Sequence, residues 1–115
     1  MRPWLAVLLA LAGPIHPGRV AAAPDKGLRL LFIGNSLTYV HNVPDLVKRL
    51  AAGAGKPAPT VEMRAAPNVG LEDHWKEGWV AKALQKGHYD VLIMQQGPST
   101  LAASGADLGR WTAVL

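Results

Sequence analysis

The sequence contains no cysteine, so a fold held together by disulfide bonds is excluded. Charged residues are also scarce, at 17% of the 115 residues, while half of the chain is hydrophobic. This balance argues against an intrinsically disordered protein and for a packed core within one domain. The formal net charge is +4, but no run of basic residues is longer than Lys48-Arg49. The scattered charge therefore gives no indication of a nucleic-acid partner.

The first 23 residues are typical of a secretory signal peptide. Arg2 supplies a positive charge, residues 4–12 (WLAVLLALA) form an apolar run too short to anchor in a bilayer, and small residues at 20–23 suit signal peptidase. Removal of Arg2 and Arg19 leaves 10 basic and 8 acidic residues, a net charge of +2. No later apolar stretch approaches the length of a membrane span. We therefore expect a secreted or periplasmic protein with no stable membrane span.

Residues 24–115 alternate strand and helix patterns. Nearly continuous apolar runs at 28–33 (LRLLFI) and 91–94 (VLIM), with a weaker run at 60–63 (TVEM), predict three parallel strands. Apolar residues at helical spacing predict one helix that starts near Pro44 and ends at Gly53, and a second helix from Leu71 to Gly87 with Gly78 inside it. This order predicts an α/β domain with an open parallel sheet covered by helices on both faces.

Apolar stripes indicate the faces that these helices are expected to bury. The stripe of the first helix consists of Val43, Leu46, Val47, Leu50 and Ala51. The stripe of the second helix consists of Leu71, Trp75, Trp79, Ala83 and Leu84. A third pattern follows Ser104-Gly105-Ala106-Asp107, which resembles a capping box, and reaches Leu115 without a C-cap. We therefore expect a sheet truncated after its third strand, with residues 24–115 forming the N-terminal portion of a single domain.

The segments that follow the three predicted strands carry the candidate functional residues. These segments are Gly34-Asn35-Ser36-Leu37-Thr38, Pro67-Asn68-Val69-Gly70 and Gln95-Gln96-Gly97-Pro98-Ser99. In open α/β sheets, ligands and catalytic groups gather at the carboxyl ends of the strands. Acyl transfer needs a hydroxyl nucleophile, backbone N–H groups aimed at the developing oxyanion, and a further polar donor. Ser36, the N–H groups of Ser36 and Gly70, and the Gln96 amide form such a set.

A serine nucleophile also requires a base, and none is evident among the histidines. His16 lies in the predicted signal peptide, and His41 and His88 are interpreted as loop and turn residues. His74 has two acidic neighbours, but successive residues of a helix point in different directions, so no metal site is expected. His41 could approach Ser36, but it is not assigned as the base, and we expect the chain alone to be inactive.

The first strand and the loop after it resemble the first conserved block of the SGNH (GDSL-like) hydrolases. The matching residues are 30–38 (LLFIGNSLT) and 42–46 (NVPDL). The family comprises esterases and lipases built on a flavodoxin-like sheet. The resemblance implies that Ser36 is the nucleophile and that Gly70, at the place of the second-block glycine, is an oxyanion donor. It extends over residues 28–115, about the first half of such a domain.

The remaining blocks of the family are represented in part. Residues 96–100 (QGPST) stand where the third block normally has Gly-x-Asn-Asp. Ser99 takes the place of the Asn when the glycines are aligned, while Gln96 resembles the Gln-Gly-Glu-Ser variant of the acetylesterase branches. Asn35 replaces the Asp of the signature, which keeps a hydrogen-bonding side chain without the charge. The fourth block, Asp-x-x-His, has no counterpart here, so the resemblance implies a downstream histidine base.

The combined interpretation is an exported serine esterase that hydrolyses small acyl or acetyl esters, acetylated carbohydrate among them, without metal or cofactor. Two alternatives stay open. A flavodoxin-like phosphate or flavin binder would hold phosphate in the loop 36–42, although that loop lacks internal glycines. A truncated, non-catalytic hydrolase-like protein would also lack the base. The sequence gives no indication of the oligomeric state.

Overall fold

The computed structural model describes residues 26–98 and 100–115; the predicted signal peptide, its cleavage site and Ser99 lie outside these ranges. The strands are β1 (Arg29–Gly34), β2 (Thr60–Ala65) and β3 (Val91–Met94). The helices are α1 (Ser36–Tyr39), α2 (Val43–Gly53), α3 (Leu71–Glu77), α4 (Trp79–Lys86) and α5 (Ala102–Thr112). Within the described ranges, no helix is long and apolar enough to cross a lipid bilayer.

The three strands form one parallel sheet in the order β2-β1-β3. In the central strand, Leu31 pairs with Glu62 on one side and Leu92 on the other. Residues 30–33 of β1 are all buried, because this strand has neighbours on both edges and helices on both faces. The fold is therefore α/β with an open parallel sheet of the flavodoxin-like type, which confirms the prediction from the sequence.

The principal core lies between one face of the sheet and three helices. Leu31 and Ile33 of β1 pack there against Leu71 of α3, Val80 of α4 and Trp111 of α5. All five side chains are buried. Burying a Leu, Ile or Val side chain stabilises a fold by about 1.5–3 kcal/mol relative to leaving it exposed. This cluster therefore holds α3 and the residues at its start against the end of β1.

Helix α2 covers the opposite face of the sheet, and its apolar stripe is only partly buried. Its bounds, Val43–Gly53, agree with the prediction. Val47 and Ala51 are half-buried, whereas Leu46 and Leu50 are exposed, Leu50 to 72%. The expectation that the whole stripe is buried is therefore wrong. A sheet of three strands offers too little apolar surface to cover the full width of this helix.

The second predicted helix is divided into α3 and α4 at Gly78. Gly78 has a φ of 68°, in the left-handed region that favours glycine. This residue ends one helix and starts the next, so the helical spacing does not continue across it. Val80 is buried as a result, while Trp75 of the predicted stripe is 40% exposed. The prediction of one continuous helix with one apolar face is wrong for this reason.

Helix α5 starts earlier than the sequence predicts. It begins at Ala102, so Ser104 and Asp107 lie within the helix and the predicted capping box is wrong. Directly before the helix, the Leu101 N–H donates to Pro98 O at 3.1 Å.

Candidate functional site

A cleft of about 340 Å³ lies where the three strands end. It is lined by the segments that follow β1, β2 and β3, together with Ser104 of α5. Ser36, Gly70 and Gln96 are thus brought together at one site, as expected for the carboxyl edge of a parallel sheet. The fourth predicted site residue, Ser99, lies outside the described residues. The described lining contains no charged side chain and combines polar with apolar residues.

Ser36 is the first residue of α1 and lines the cleft. Asn35 caps this helix, because its Oδ1 accepts a hydrogen bond from the Leu37 N–H at 3.1 Å. Neither the Ser36 N–H nor its Oγ has a hydrogen-bond partner among residues 26–98 and 100–115. Both groups of Ser36 therefore have no competing partner among the described residues and can contact a ligand.

Gly34 allows two side chains to approach the end of β1. A Cβ at this position would overlap Thr38 Oγ1 and would lie 2.8 Å from Gln95 Oε1. The buried Thr38 hydroxyl donates a hydrogen bond to that same Gln95 oxygen at 3.1 Å. A side chain at Gly34 would break this hydrogen bond, so the close approach requires glycine here.

His74 is buried on the sheet side of α3 and supports the same loop. Its Nε2 lies 2.8 Å from Gly34 O. A carbonyl oxygen only accepts hydrogen bonds, so Nε2 carries a proton and donates it. In the described part of the chain, no imidazole is hydrogen-bonded to Ser36, and no cluster of three or more side chains could hold a metal ion.

Gly70 precedes α3, and the first two N–H groups at this helix start already have acceptors. The Gly70 N–H donates to Asp73 Oδ2 at 2.7 Å, and the Leu71 N–H donates to Gln96 Oε1 at 2.8 Å. Gln96 Nε2 lies so close to Gly70 that a Cβ there would be 2.8 Å from it. Because Gln96 is anchored through its oxygen, its two amide hydrogens remain for the cleft.

Gln95 is a site residue to which the sequence assigned no role. Its Oε1 accepts from the Asn35 N–H at 3.1 Å as well as from Thr38 Oγ1. Its Nε2 is buried and has no hydrogen-bond partner in the described part of the chain. The only signal in the sequence is the pair of glutamines directly after the apolar run of β3.

Comparison with known proteins adds no relative to this description. No protein-family model matches the chain, and neither a curated protein nor a solved structure gives a match.

Proposed function

We propose that this protein is an exported serine esterase of the SGNH type, with Ser36 as its nucleophile. The observation that carries the proposal is the placement of Ser36 at the wall of a cleft whose described lining has no charged side chain, with both its hydroxyl and its N–H unpartnered within the described ranges. A serine that served only as a turn or cap residue would use its hydroxyl on a nearby backbone group.

In the proposed reaction, Ser36 Oγ attacks the carbonyl carbon of an ester while a histidine base takes the hydroxyl proton. The carbonyl oxygen becomes an oxyanion, which the Ser36 N–H and Gln96 Nε2 stabilise by donating hydrogen bonds. Collapse of this intermediate breaks the ester C–O bond, and the alcohol leaves with the proton from the base. Water then cleaves the acyl-serine by the same route and releases the carboxylic acid. No described histidine is hydrogen-bonded to Ser36, so the residue that supplies this base is not assigned.

The Gly70 N–H is a third proposed oxyanion donor, and it requires a rearrangement. This N–H already donates a hydrogen bond to Asp73 Oδ2 at 2.7 Å. Gly70 therefore contributes only when the Asp73 carboxylate moves away, whereas Gln96 Nε2 is already unoccupied among the described residues. Ser99, aligned with the third-block Asn, remains an alternative to Gln96 as a donor.

The size and charge of the cleft favour a small neutral acyl group. Its volume of about 340 Å³ would accept an acetyl or short acyl ester, and no charged side chain in the described lining selects an ionic substrate. An acetylated carbohydrate fits this description because both its acetyl group and its hydroxyls are neutral and polar.

A non-catalytic hydrolase-like protein is the second candidate, and one observation favours it. Ser36 is not hydrogen-bonded to an imidazole anywhere in the described ranges. A phosphate or flavin binder has less support, because the cleft lining lacks a described cation and the first two N–H groups of α3 are occupied.

Covalent labelling tests the proposal directly. The full-length protein is treated with a fluorophosphonate, which reacts with activated serine hydroxyls, and the modified peptide is located by mass spectrometry. We expect one adduct, on Ser36, and none in Ser36→Ala; the matched control Ser104→Ala, a second serine of the same cleft, should label normally. Absence of any adduct would favour the non-catalytic protein. N-terminal sequencing of secreted material, expected to lack the predicted signal peptide, tests the export.

A further inference from the structure

Asn35 joins the three segments that line the cleft. It is buried, with 9% of its surface exposed. Its side-chain Nδ2 donates two hydrogen bonds, to Val69 O at 3.1 Å and to Gln96 O at 2.8 Å. Its Oδ1 accepts from the Leu37 N–H at 3.1 Å. Both amide hydrogens of Asn35 are thus committed to backbone carbonyls that follow the two outer strands.

The backbone of Asn35 is held as firmly as its side chain. Its N–H donates to Gln95 Oε1 at 3.1 Å, and its carbonyl oxygen accepts from the Thr38 N–H at 2.9 Å. Ser36 follows directly in the chain, so these bonds fix the direction of its N–H and its Cα–Cβ bond relative to the loops after β2 and β3. Oxyanion donors and nucleophiles depend on such alignment, since a displacement of 1 Å lowers rates by about 100-fold.

We propose that Asn35 is a positioning residue whose two amide hydrogens hold Ser36 in register with Val69 and Gln96, and that a carboxylate cannot replace this amide. The first part rests on the function proposed above. A carboxylate of the same shape donates no hydrogen bond, and it would place negative charge against two carbonyl oxygens, the negative ends of peptide dipoles. The Asp that the SGNH signature carries at this place is therefore harmful in this chain.

The decisive variant is Asn35→Asp, and Asn68→Asp is its matched control for the unfolding measurement. Asn68 lines the same cleft, and its side chain makes no hydrogen bond within the described ranges. The titratable groups of the packed elements that face this region are His74, at Gly34 O, and Asp73, at the Gly70 N–H. Both groups are the same in the two variants and in the unmodified protein, so comparison of the three cancels their effect.

Thermal unfolding is measured at pH 4 and pH 7. The protonated form of the introduced carboxyl can donate one of the two lost hydrogen bonds and the ionised form can donate none, so folding raises the pKa of this group. The relative stability of Asn35→Asp is therefore highest at low pH and falls as the pH rises through that raised pKa. We expect the midpoint difference between Asn35→Asp and the unmodified protein to be clearly larger at pH 7, with little pH dependence for Asn68→Asp.

Ester hydrolysis at pH 7 supplies the second measurement. We expect Asn35→Asp to lower kcat by about tenfold or more, with less effect on KM. Gln85→Glu, which makes the same amide-to-carboxylate change on an exposed residue of α4 outside the cleft, should stay within about twofold of the unmodified protein. Hydrolysis or unfolding of Asn35→Asp that matches the unmodified protein would overturn the positioning role. If the unmodified protein hydrolyses no ester while the pH-dependent unfolding is observed, only the proposed function fails.

A measurement on the unmodified protein covers the case in which Asn35→Asp does not fold at either pH. The side-chain amide hydrogens of Asn35 should exchange with solvent at least about tenfold more slowly than those of Asn68, because only the former are buried and hydrogen-bonded. Equal exchange rates, measured by NMR, would show that the two carbonyl contacts do not form in solution and would refute the proposal.

Discussion

The two ends of the sheet are built in different ways. At the carboxyl end, side-chain hydrogen bonds link the segments that follow different strands. The residues involved include Asn35, Thr38, Gln95 and Gln96. At the amino end, a cavity of about 260 Å³ with apolar walls separates the end of α2 from the starts of β1 and β2. Its walls include Leu28, Leu30, Val47, Ala51, Pro57 and Pro59.

This difference separates the part of the fold that aligns chemical groups from the part that supplies stability. Hydrogen bonds restrict both distance and angle, so they define where Ser36 points. Apolar packing responds mainly to volume and tolerates small shifts, so it stabilises the sheet without aligning any single group. We therefore expect substitutions at the carboxyl end to change activity and substitutions at the amino end to change stability alone.

The largest effect expected from this comparison is that of Ser36→Ala. Loss of the nucleophile should lower kcat/KM for a chromogenic acetate ester by about 10³-fold or more, because no other described hydroxyl of the cleft has the same unpartnered N–H beside it. The thermal midpoint should change little, since Ser36 makes no side-chain hydrogen bond in the described residues. Ser104→Ala is the control, and activity retained by Ser36→Ala would remove Ser36 from the mechanism.

Gln96→Ala tests whether the carboxyl end supplies the second oxyanion donor. Removal of Gln96 Nε2 should lower kcat by about 10²-fold, as for other oxyanion donors, while KM changes less. The control is Gln85→Ala, an exposed glutamine of α4. Because Gln96 also accepts the Leu71 N–H, its loss should slightly lower the unfolding midpoint as well. If kcat of Gln96→Ala stays within about twofold of the unmodified protein, Gln96 is not the donor and Ser99 is the remaining candidate.

The sequence predicts which residues lie at the carboxyl end of the sheet better than it predicts the hydrogen bonds between them. The apolar run of β1 and the strand-helix order place Ser36, Gly70 and Gln96 at one edge, because carboxyl ends of parallel strands converge. Local spacing carries no information on contacts such as Asn35 to Gln96, which are 61 residues apart. The break at Gly78 also escaped prediction, since glycine within an apolar helical pattern is compatible with either a continuous or a divided helix.

Asp73→Ala examines the third proposed donor. The Asp73 carboxylate accepts the Gly70 N–H and would place negative charge near a developing oxyanion. Its removal should raise kcat by about threefold or more if Gly70 then contacts the oxyanion, while loss of the cap lowers the free energy of unfolding by about 1 kcal/mol. Glu72→Ala removes the neighbouring carboxylate, which instead pairs with Lys76 at 2.7 Å. An unchanged or reduced rate would exclude Gly70 as a donor.

Ala51→Leu addresses the amino end. A larger apolar side chain would fill part of the cavity that Ala51 lines, and this should raise the free energy of unfolding by about 0.5–2 kcal/mol, seen as a higher thermal midpoint. Ala52→Leu is the control, because its side chain is exposed on the same helix. The rate of ester hydrolysis should not change. A change in kcat with Ala51→Leu would show that the two ends of the sheet are coupled and would break the comparison.

The smallest expected effect concerns one of the polar contacts near the amino end of the sheet, and it depends on pH. The Tyr89 hydroxyl donates to the Glu62 carboxylate, and this hydrogen bond raises the pKa of Tyr89 above its usual value of 10.0, while Arg29 opposes the shift. A raised pKa in the folded state means that the stabilising contribution is complete below pH 10 and is lost as the pH rises through the folded-state pKa. Tyr89→Phe should therefore lower the denaturant midpoint slightly at pH 8 and have less effect at pH 11.

Tyr39→Phe is the control, because the Tyr39 hydroxyl has no hydrogen-bond partner in the described residues. An equal loss of midpoint at both pH values would mean that packing of the Tyr89 ring, and not its hydrogen bond, stabilises this end of the sheet.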